Sequence, residues 1–259
     1  MISLTGPRAG YGVDVPDPLE ALLDLADVRS AFADARRAVD TAMGHRALRR
    51  SGGPVAAEVG LRSAIASAAL AGHPHDREAV RDGLITDPVL QGALRVSGAL
   101  DGLSSMWLRA PRQALAKLHV LAGRGSIPDG ELGRPRTEEM ISVRLDGLAQ
   151  MIVGESRGGS TLILAAVVHG ELLALNAFPG PSDVVARGAA RLTLIAGGFD
   201  PRGLLALDVG HLARQPEYVG AAGAFATGTP DGLRSWFKHY AAAVTEAAAV
   251  LATVGDEIA

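Results

Sequence analysis

Residues 161–175 read Thr-Leu-Ile-Leu-Ala-Ala-Val-Val-His-Gly-Glu-Leu-Leu-Ala-Leu, apolar on nearly every side of the helix they would form. Such a helix has no face for water and must be surrounded by other elements, so Thr161–Leu175 is expected at the centre of the fold. It does not read as a membrane span. The apolar stretch Thr161–Phe178 is interrupted by His169, Gly170 and Glu171, whereas a span needs about 20 mostly apolar residues. The run Ala241–Val254 is shorter still and carries Glu246.

Around that centre the sequence is punctuated for helices. A capping residue precedes proline at Asp87-Pro88, Asp200-Pro201 and Thr229-Pro230. Proline at the first helical position lacks only an N–H that would be unpaired anyway, and the side chain before it caps the turn. Period-two alternation is scarce and no βαβ succession is visible. The expected helices are Asp27–Gly44, Val55–Leu70, Arg77–Arg81, Pro88–Leu108, Pro111–Ala122, Glu138–Val153, Thr161–Leu175, Asp183–Ala196, His211–Ala226 and Pro230–Val254. The fold class is therefore all-α, a helical bundle around a central apolar helix. Any strand content is expected as one short hairpin near residues 127–137, within the glycine- and proline-rich loop 123–136. Residues 1–17 read as a loose arm.

Composition excludes several function classes. With 259 residues, 48% of them hydrophobic, the chain can bury a core and is not a disordered segment. The absence of cysteine removes disulfide frameworks, thiolate metal sites and cysteine nucleophiles, and fits a reducing compartment. A net charge of −3 steers the molecule toward neither nucleic acid nor a membrane surface. The N-terminus lacks the basic and apolar regions of a signal peptide, so a cytoplasmic location is expected. Alanine-rich faces such as 241–254 would allow close helix contact, and a homodimer is expected there.

Familiar catalytic patterns fail on context. Gly154-Glu-Ser156-Arg-Gly158, with Asp208 and His211 downstream, matches a nucleophile elbow in spacing, but helical rather than strand patterning precedes it; the elbow needs a strand-to-helix turn. His73-Pro-His75-Asp76 reads as surface loop rather than a metal site. Arg46, Arg49 and Arg50 suit a solvated helix terminus better than an anion site.

More informative is the segment His169–Arg187, His-Gly-Glu-Leu-Leu-Ala-Leu-Asn-Ala-Phe-Pro-Gly-Pro-Ser-Asp-Val-Val-Ala-Arg. A long apolar helix, a tight turn and a second helix resemble the core of the Fic/Doc (Fido-fold) family, whose motif is H-P-F-x-[D/E]-G-N-G-R-x-x-R. Laid without gaps, the motif begins at Asn176 and ends at Arg187, and only Phe178 and Arg187 match. Flanking pieces resemble the family in order. Ser67-Ala-Ala-Leu-Ala71-Gly72 resembles its inhibitory motif, with Ala71 in place of the glutamate. Gly130-Glu-Leu-Gly-Arg134 lies in a region like its target-docking flap. Gly198, Tyr218 and Trp236-Phe237 follow as in its downstream part. The resemblance divides the chain into an N-terminal arm and helix, 1–53, and a Fic-like helical domain, 54–255.

The family implies transfer of a nucleotidyl or related phosphate-containing group to a protein hydroxyl, and four of its devices are altered here. The motif base is Asn176, which has no proton equilibrium near neutrality. The Mg²⁺-holding acid is Gly180, without a side-chain ligand. The phosphate nest reads Pro181-Ser182-Asp183, where proline removes an N–H and Asp183 adds negative charge. The first clamp arginine is Val184. Arg187 loses its inhibitory partner at Ala71, and Asp183, one turn earlier, is expected to pair with it. His169, two turns before Asn176, is a candidate replacement base, but a hydrogen-bonded core histidine is the commoner case. The resemblance thus implies a catalytically inactive protein that binds an unidentified protein partner, with no cofactor and no metal, as an adaptor or regulator. The alternative is an enzyme with rearranged chemistry, using His169, Glu171 or His211 on a phosphate-containing ligand.

Overall fold

The computed structural model describes residues 18–155 and 161–259. Among these residues there are thirteen α-helices and no strand. In chain order they are α1 (Pro18–Leu23), α2 (Val28–Met43), α3 (Ala47–Arg50), α4 (Gly52–Leu70), α5 (Arg77–Arg81), α6 (Pro88–Trp107), α7 (Pro111–Gly123), α8 (Glu139–Glu155), α9 (Thr161–Leu175), α10 (Ser182–Ala196), α11 (Leu207–Ala213), α12 (Gln215–Ala226) and α13 (Pro230–Ile258). The all-α expectation holds, and α9 is the central helix. Its residues Leu162–Ala166, Val168–Gly170, Leu172 and Leu175 are buried, enclosed by α8, α10, α12 and α13. No helix among the described residues is long and apolar enough to cross a membrane.

The cap-and-proline signals act at two of their three positions. The Asp87 carboxylate accepts from the N–H groups of Val89 and Leu90 at 2.7 and 3.1 Å, and the Thr229 hydroxyl accepts from Gly232 at 3.2 Å. Asp200-Pro201 starts no helix. Gly203 follows at φ 63, and Asp200 instead accepts from Leu204 and Leu205 at 2.8 and 2.9 Å, closing a loop that leads to α11. The single helix expected over 211–226 is also corrected. It divides at Arg214 into α11 and α12, because Pro216 has no N–H to continue the ladder.

One further correction concerns the loop 123–136. The hairpin expected near 127–137 is absent. Residues Asp129–Glu131 form one 3₁₀ turn, and the sole ladder contact there is an isolated bridge between Arg124 and Ile127. Pro128 and Pro135 withdraw two of the donors a hairpin would need. The alanine face of 241–254 is used within the chain. Ala243, Ala247, Ala248 and Leu251 are buried where α13 packs on α2 and α11, so α2 joins the same core as the helices after residue 54.

That packing is close. An added Cβ at Gly210 of α11 would overlap the carbonyl of Ala243 in α13. Gly210→Ala is expected to destabilise by about 1–3 kcal/mol, since overpacking forces a backbone shift; urea unfolding measures it, and an unchanged midpoint would contradict this crossing.

Candidate functional site

The chain leaves α9 through Asn176 at φ 43 and turns at Gly180, φ 65, before α10 begins at Ser182. Asparagine tolerates the left-handed region better than most residues, which gives Asn176 a conformational reason to be there. Ala177 and Phe178 are buried. The Phe178 N–H donates to the Ser182 hydroxyl at 3.2 Å, and the Val184 N–H donates to Asp183 Oδ1 at 2.8 Å. Two of the turn's donors are thus engaged by its own side chains, and the Ser182 N–H by the Gly180 carbonyl. Pro181 caps α10 without a side-chain hydrogen bond, and Val184 is buried.

Arg187, 2% exposed, points into the protein. Its Nε donates to the Ser67 hydroxyl at 2.8 Å, and Nη2 donates to the Ser67 carbonyl at 2.8 Å and to Asp183 Oδ2 at 2.9 Å. Asp208 lies 3.6 Å from Nε. Burial alone would lower the guanidinium pKa, but Asp183, Tyr218 and Asp208 outweigh it and hold the group above its ordinary value. The expected Asp183–Arg187 pair is formed.

The segment Ser67–Gly72 does meet the motif helix, through Ser67 rather than position 71. Ala71 ends α4. The Gly72 N–H reaches the Ala69 carbonyl, and the His73 N–H the Ala68 carbonyl, at 3.0 and 2.9 Å. With Gly72 at φ 90 this is a Schellman helix end, which accounts for that glycine without an inhibitory role.

The loop 123–136 lies against the turn. His119 of α7, fully buried, accepts the Gly133 N–H at Nδ1 (3.0 Å) and approaches the Pro179 carbonyl with Nε2 (2.9 Å). One nitrogen must accept and the other must donate, so the ring is neutral with its proton on Nε2. It also packs on Phe178, centroids 4.7 Å apart. Burial lowers its pKa, opposed in part by the Pro179 carbonyl. Arg136 donates from its backbone N–H to the Ala177 carbonyl (2.8 Å) and from Nε to the Asn176 carbonyl (3.0 Å). Ile127 sits over Gly180, where any side chain would collide with it. Gly130 and Arg134 stand on the exposed outer side of this loop.

His169 is fully buried behind the turn, in a polar and aromatic cluster. Its Nε2 lies 3.1 Å from the Tyr218 hydroxyl, and its ring packs edge-on against Trp236 and His211. His211 Nδ1 and His239 Nε2 are 3.0 Å apart. Burial holds His169 and His211 well below their ordinary value and His239 down to about 4; it also raises Tyr218 to about 12 against the opposing charge of Arg187. Glu171 is bound by both of its oxygens to Arg144, at 2.7 Å each.

The remaining sequence candidates have structural partners or fall outside the described residues. Ser156 and Gly158 lie outside the described residues, and Asp208 faces Arg187 and Arg191 rather than His211. His73 and His75 both approach Asp87, at 2.7 and 3.4 Å, bracing the cap of α6. Among the described residues no group of three or more His, Asp or Glu side chains is arranged to hold a metal. The turn presents no side-chain ligand for the Mg²⁺ of a bound nucleotide. Gly180 offers no side-chain oxygen, Ile127 occupies the space a side chain there would need, and Asp183 is engaged by Arg187. Sequence reasoning missed His119, Ile127 and Arg136. The available signal was Ile127 and Leu132, two apolar residues in an otherwise polar loop.

No protein-family model matches the chain, and no curated protein sequence matches it. Solved structures do share its fold. A Fic family protein from Desulfovibrio desulfuricans G20 is 19% identical, with 86% of this chain and 74% of that one covered and a TM-score of 0.67. A fragment of C. elegans Fic-1 is also 19% identical, with 92% and 79% covered and a TM-score of 0.68. A variant of that fragment gives 20%, 89%, 73% and 0.61. The chain has the Fic fold.

Proposed function

We propose that this chain is a catalytically inactive protein of the Fic fold that acts by binding, as an adaptor or regulatory module for another protein. The observation that carries this reading is the turn at 176–187, whose arginine and two of whose N–H groups are engaged by side chains of the chain itself. Arg187 is engaged by Ser67 and Asp183, and Ile127 leaves no room for a metal-holding side chain at Gly180. Phosphate binding at a helix N-terminus requires converging, unoccupied N–H groups. Pro181 has none, the Val184 N–H already has an acceptor in Asp183, and a negative charge stands beside them. A base could not restore activity alone, because proton transfer contributes about 10²–10⁴ in rate only after the reacting groups are positioned.

The test is a thermal-shift series with ATP, GTP and their diphosphates, with and without Mg²⁺, alongside labelled-nucleotide transfer to the protein and to a lysate. A ligand at 100 times its Kd would add about 2.7 kcal/mol to the native state. The expected result is no shift and no transfer. A Mg²⁺-dependent shift, or a labelled band lost on Arg187→Ala in a variant that remains folded, overturns the reading.

A further inference from the structure

Arg191 lies on α10 one helical turn beyond Arg187, and the fold treats the two arginines differently. Arg187 makes three hydrogen bonds, to Ser67 and Asp183. Arg191 is 6% exposed, yet among the described residues its guanidinium makes one hydrogen bond, to Ser97 Oγ at 3.2 Å. Its ion contact with Asp208 is long, 3.9 Å. A guanidinium carries five N–H donors, and buried donors without acceptors are costly.

Arg191 and Ser97 line a cavity of about 260 Å³ between α4, α6, α10 and the loop that follows α10. A second arginine, Arg202, lines it from that loop. Arg202 is exposed, and its one polar contact among the described residues, with the Leu48 carbonyl at 3.5 Å, is longer than an ordinary hydrogen bond. The buried acids close by are committed elsewhere. Asp200, on which both arginine charges act, accepts the Leu204 and Leu205 N–H groups, and Asp208 is shared with Arg187. Arg191 and Ser97 also border an inner recess of about 10 Å³, together with Ser63. The Ser63 hydroxyl is fully buried and has no hydrogen-bond partner. Ala56, Leu100 and Ile195 give the cavity an apolar wall.

We infer that this cavity is a binding site for a compact organic anion, whose carboxylate or phosphate is held by Arg191, Arg202 and Ser97 and whose body rests on Ala56, Leu100 and Ile195. The forked donors of arginine match the oxygens of such a group, and a charge-assisted hydrogen bond is about twice as strong as a neutral one. The cavity is smaller than the roughly 300–1,000 Å³ of drug-sized sites, which suits a small metabolite rather than a nucleoside triphosphate. Asp101, exposed on the lining, adds a negative charge that disfavours polyanions. Exposed arginines alone would be satisfied by water. Arg191 differs because it is buried with donors to spare. It stands nine residues along α10 from Ser182, roughly 13 Å, so the inference does not depend on whether the turn at 176–187 binds nucleotide.

Calorimetric titration of the full chain with sodium phosphate and with sodium acetate tests it, at an ionic strength held constant with sodium chloride and without divalent metal. Saturable binding of either anion is the expected result; phosphate alone points to phosphate esters, acetate alone to carboxylates. Arg202→Glu, at an exposed position, is expected to raise the dissociation constant about tenfold or more while the thermal melt stays unchanged. Arg191→Met should abolish binding. Should that variant fail to fold, Ser97→Ala, expected to weaken binding several-fold, tests the same wall. Arg109→Glu, the same charge change at an exposed residue that does not line the cavity, should leave binding unchanged. No saturable binding of either anion up to about 50 mM overturns the inference. So does binding that is indifferent to Arg202→Glu and Ser97→Ala, or that Arg109→Glu weakens as much as Arg202→Glu does.

Discussion

Replacing Arg187 by alanine is expected to cost about 3–5 kcal/mol of folding stability, because it leaves buried acidic groups without their counter-charge. Asp208 is 3% exposed and sits between Arg187 and Arg191. The Ser67 hydroxyl and carbonyl lose their donors as well. For a chain of this size each kcal/mol corresponds to roughly 2–4 °C, so the melting temperature should fall by about 6–20 °C. Asp183→Ala should cost less, since that carboxylate is partly exposed and the guanidinium keeps Ser67 and Asp208. The pair of variants separates two roles for one residue. An arginine held for phosphate would be poorly satisfied in the empty protein, and its removal would leave stability unchanged or improved. Equilibrium urea unfolding of both variants decides between these outcomes, and an Arg187→Ala protein as stable as the wild type would sink the structural account.

The difference between what was legible in the sequence and what was not follows the range of the interactions. The central helix Thr161–Leu175 and its bounding turn were readable because apolar periodicity and a Pro-Gly-Pro run are local signals. The Asp183–Arg187 pair was readable for the same reason, at one helical turn. The contact of Arg187 with Ser67 spans 120 residues and depends on how α4 packs against α10 and α11, which no local pattern encodes. His119 likewise looked like an ordinary core position of α7, and only the folded loop reveals Gly133 and Pro179 on its two nitrogens. The absent hairpin and the divided helix are different cases. Pro128, Pro135 and Pro216 were visible, and their missing N–H groups argued against a paired strand and an unbroken helix. Ala241–Val254 was recognised as a close-packing face, but sequence alone could not say that α2 and α11, rather than another copy, would cover it.

Acidification should unfold this protein steeply between about pH 6.5 and pH 4, a second large effect that comes from its histidines. His119, His169, His211 and His239 all have pKa values lowered by burial, against about 6.5 in an unfolded chain. Between the folded and unfolded values the unfolded state binds more protons, so stability rises with pH and is lost as pH falls. The contribution is complete above about pH 6.5, and each ring loses up to about 1.4 kcal/mol per pH unit below it until its own folded value is reached. One acid opposes the trend. Burial raises Asp200 to about 6, so between 3.8 and 6 the folded state holds the extra proton, and acidification in that window favours folding. A single carboxyl against four imidazoles does not reverse the sign. His119 adds a local consequence, because protonating Nδ1 removes the acceptor of the Gly133 N–H and loosens the loop over Gly180. Urea midpoints at pH 8, 6.5, 5.5 and 4.5 should fall progressively, most steeply below 6.5. In His239→Gln, which keeps a polar group near His211 but cannot titrate, the slope should be shallower by up to one proton. A midpoint that stays level or rises from pH 6.5 to 5 would mean that the buried histidines are already protonated in the fold, and the neutral assignment of His119 and of the His211–His239 contact would have to be abandoned.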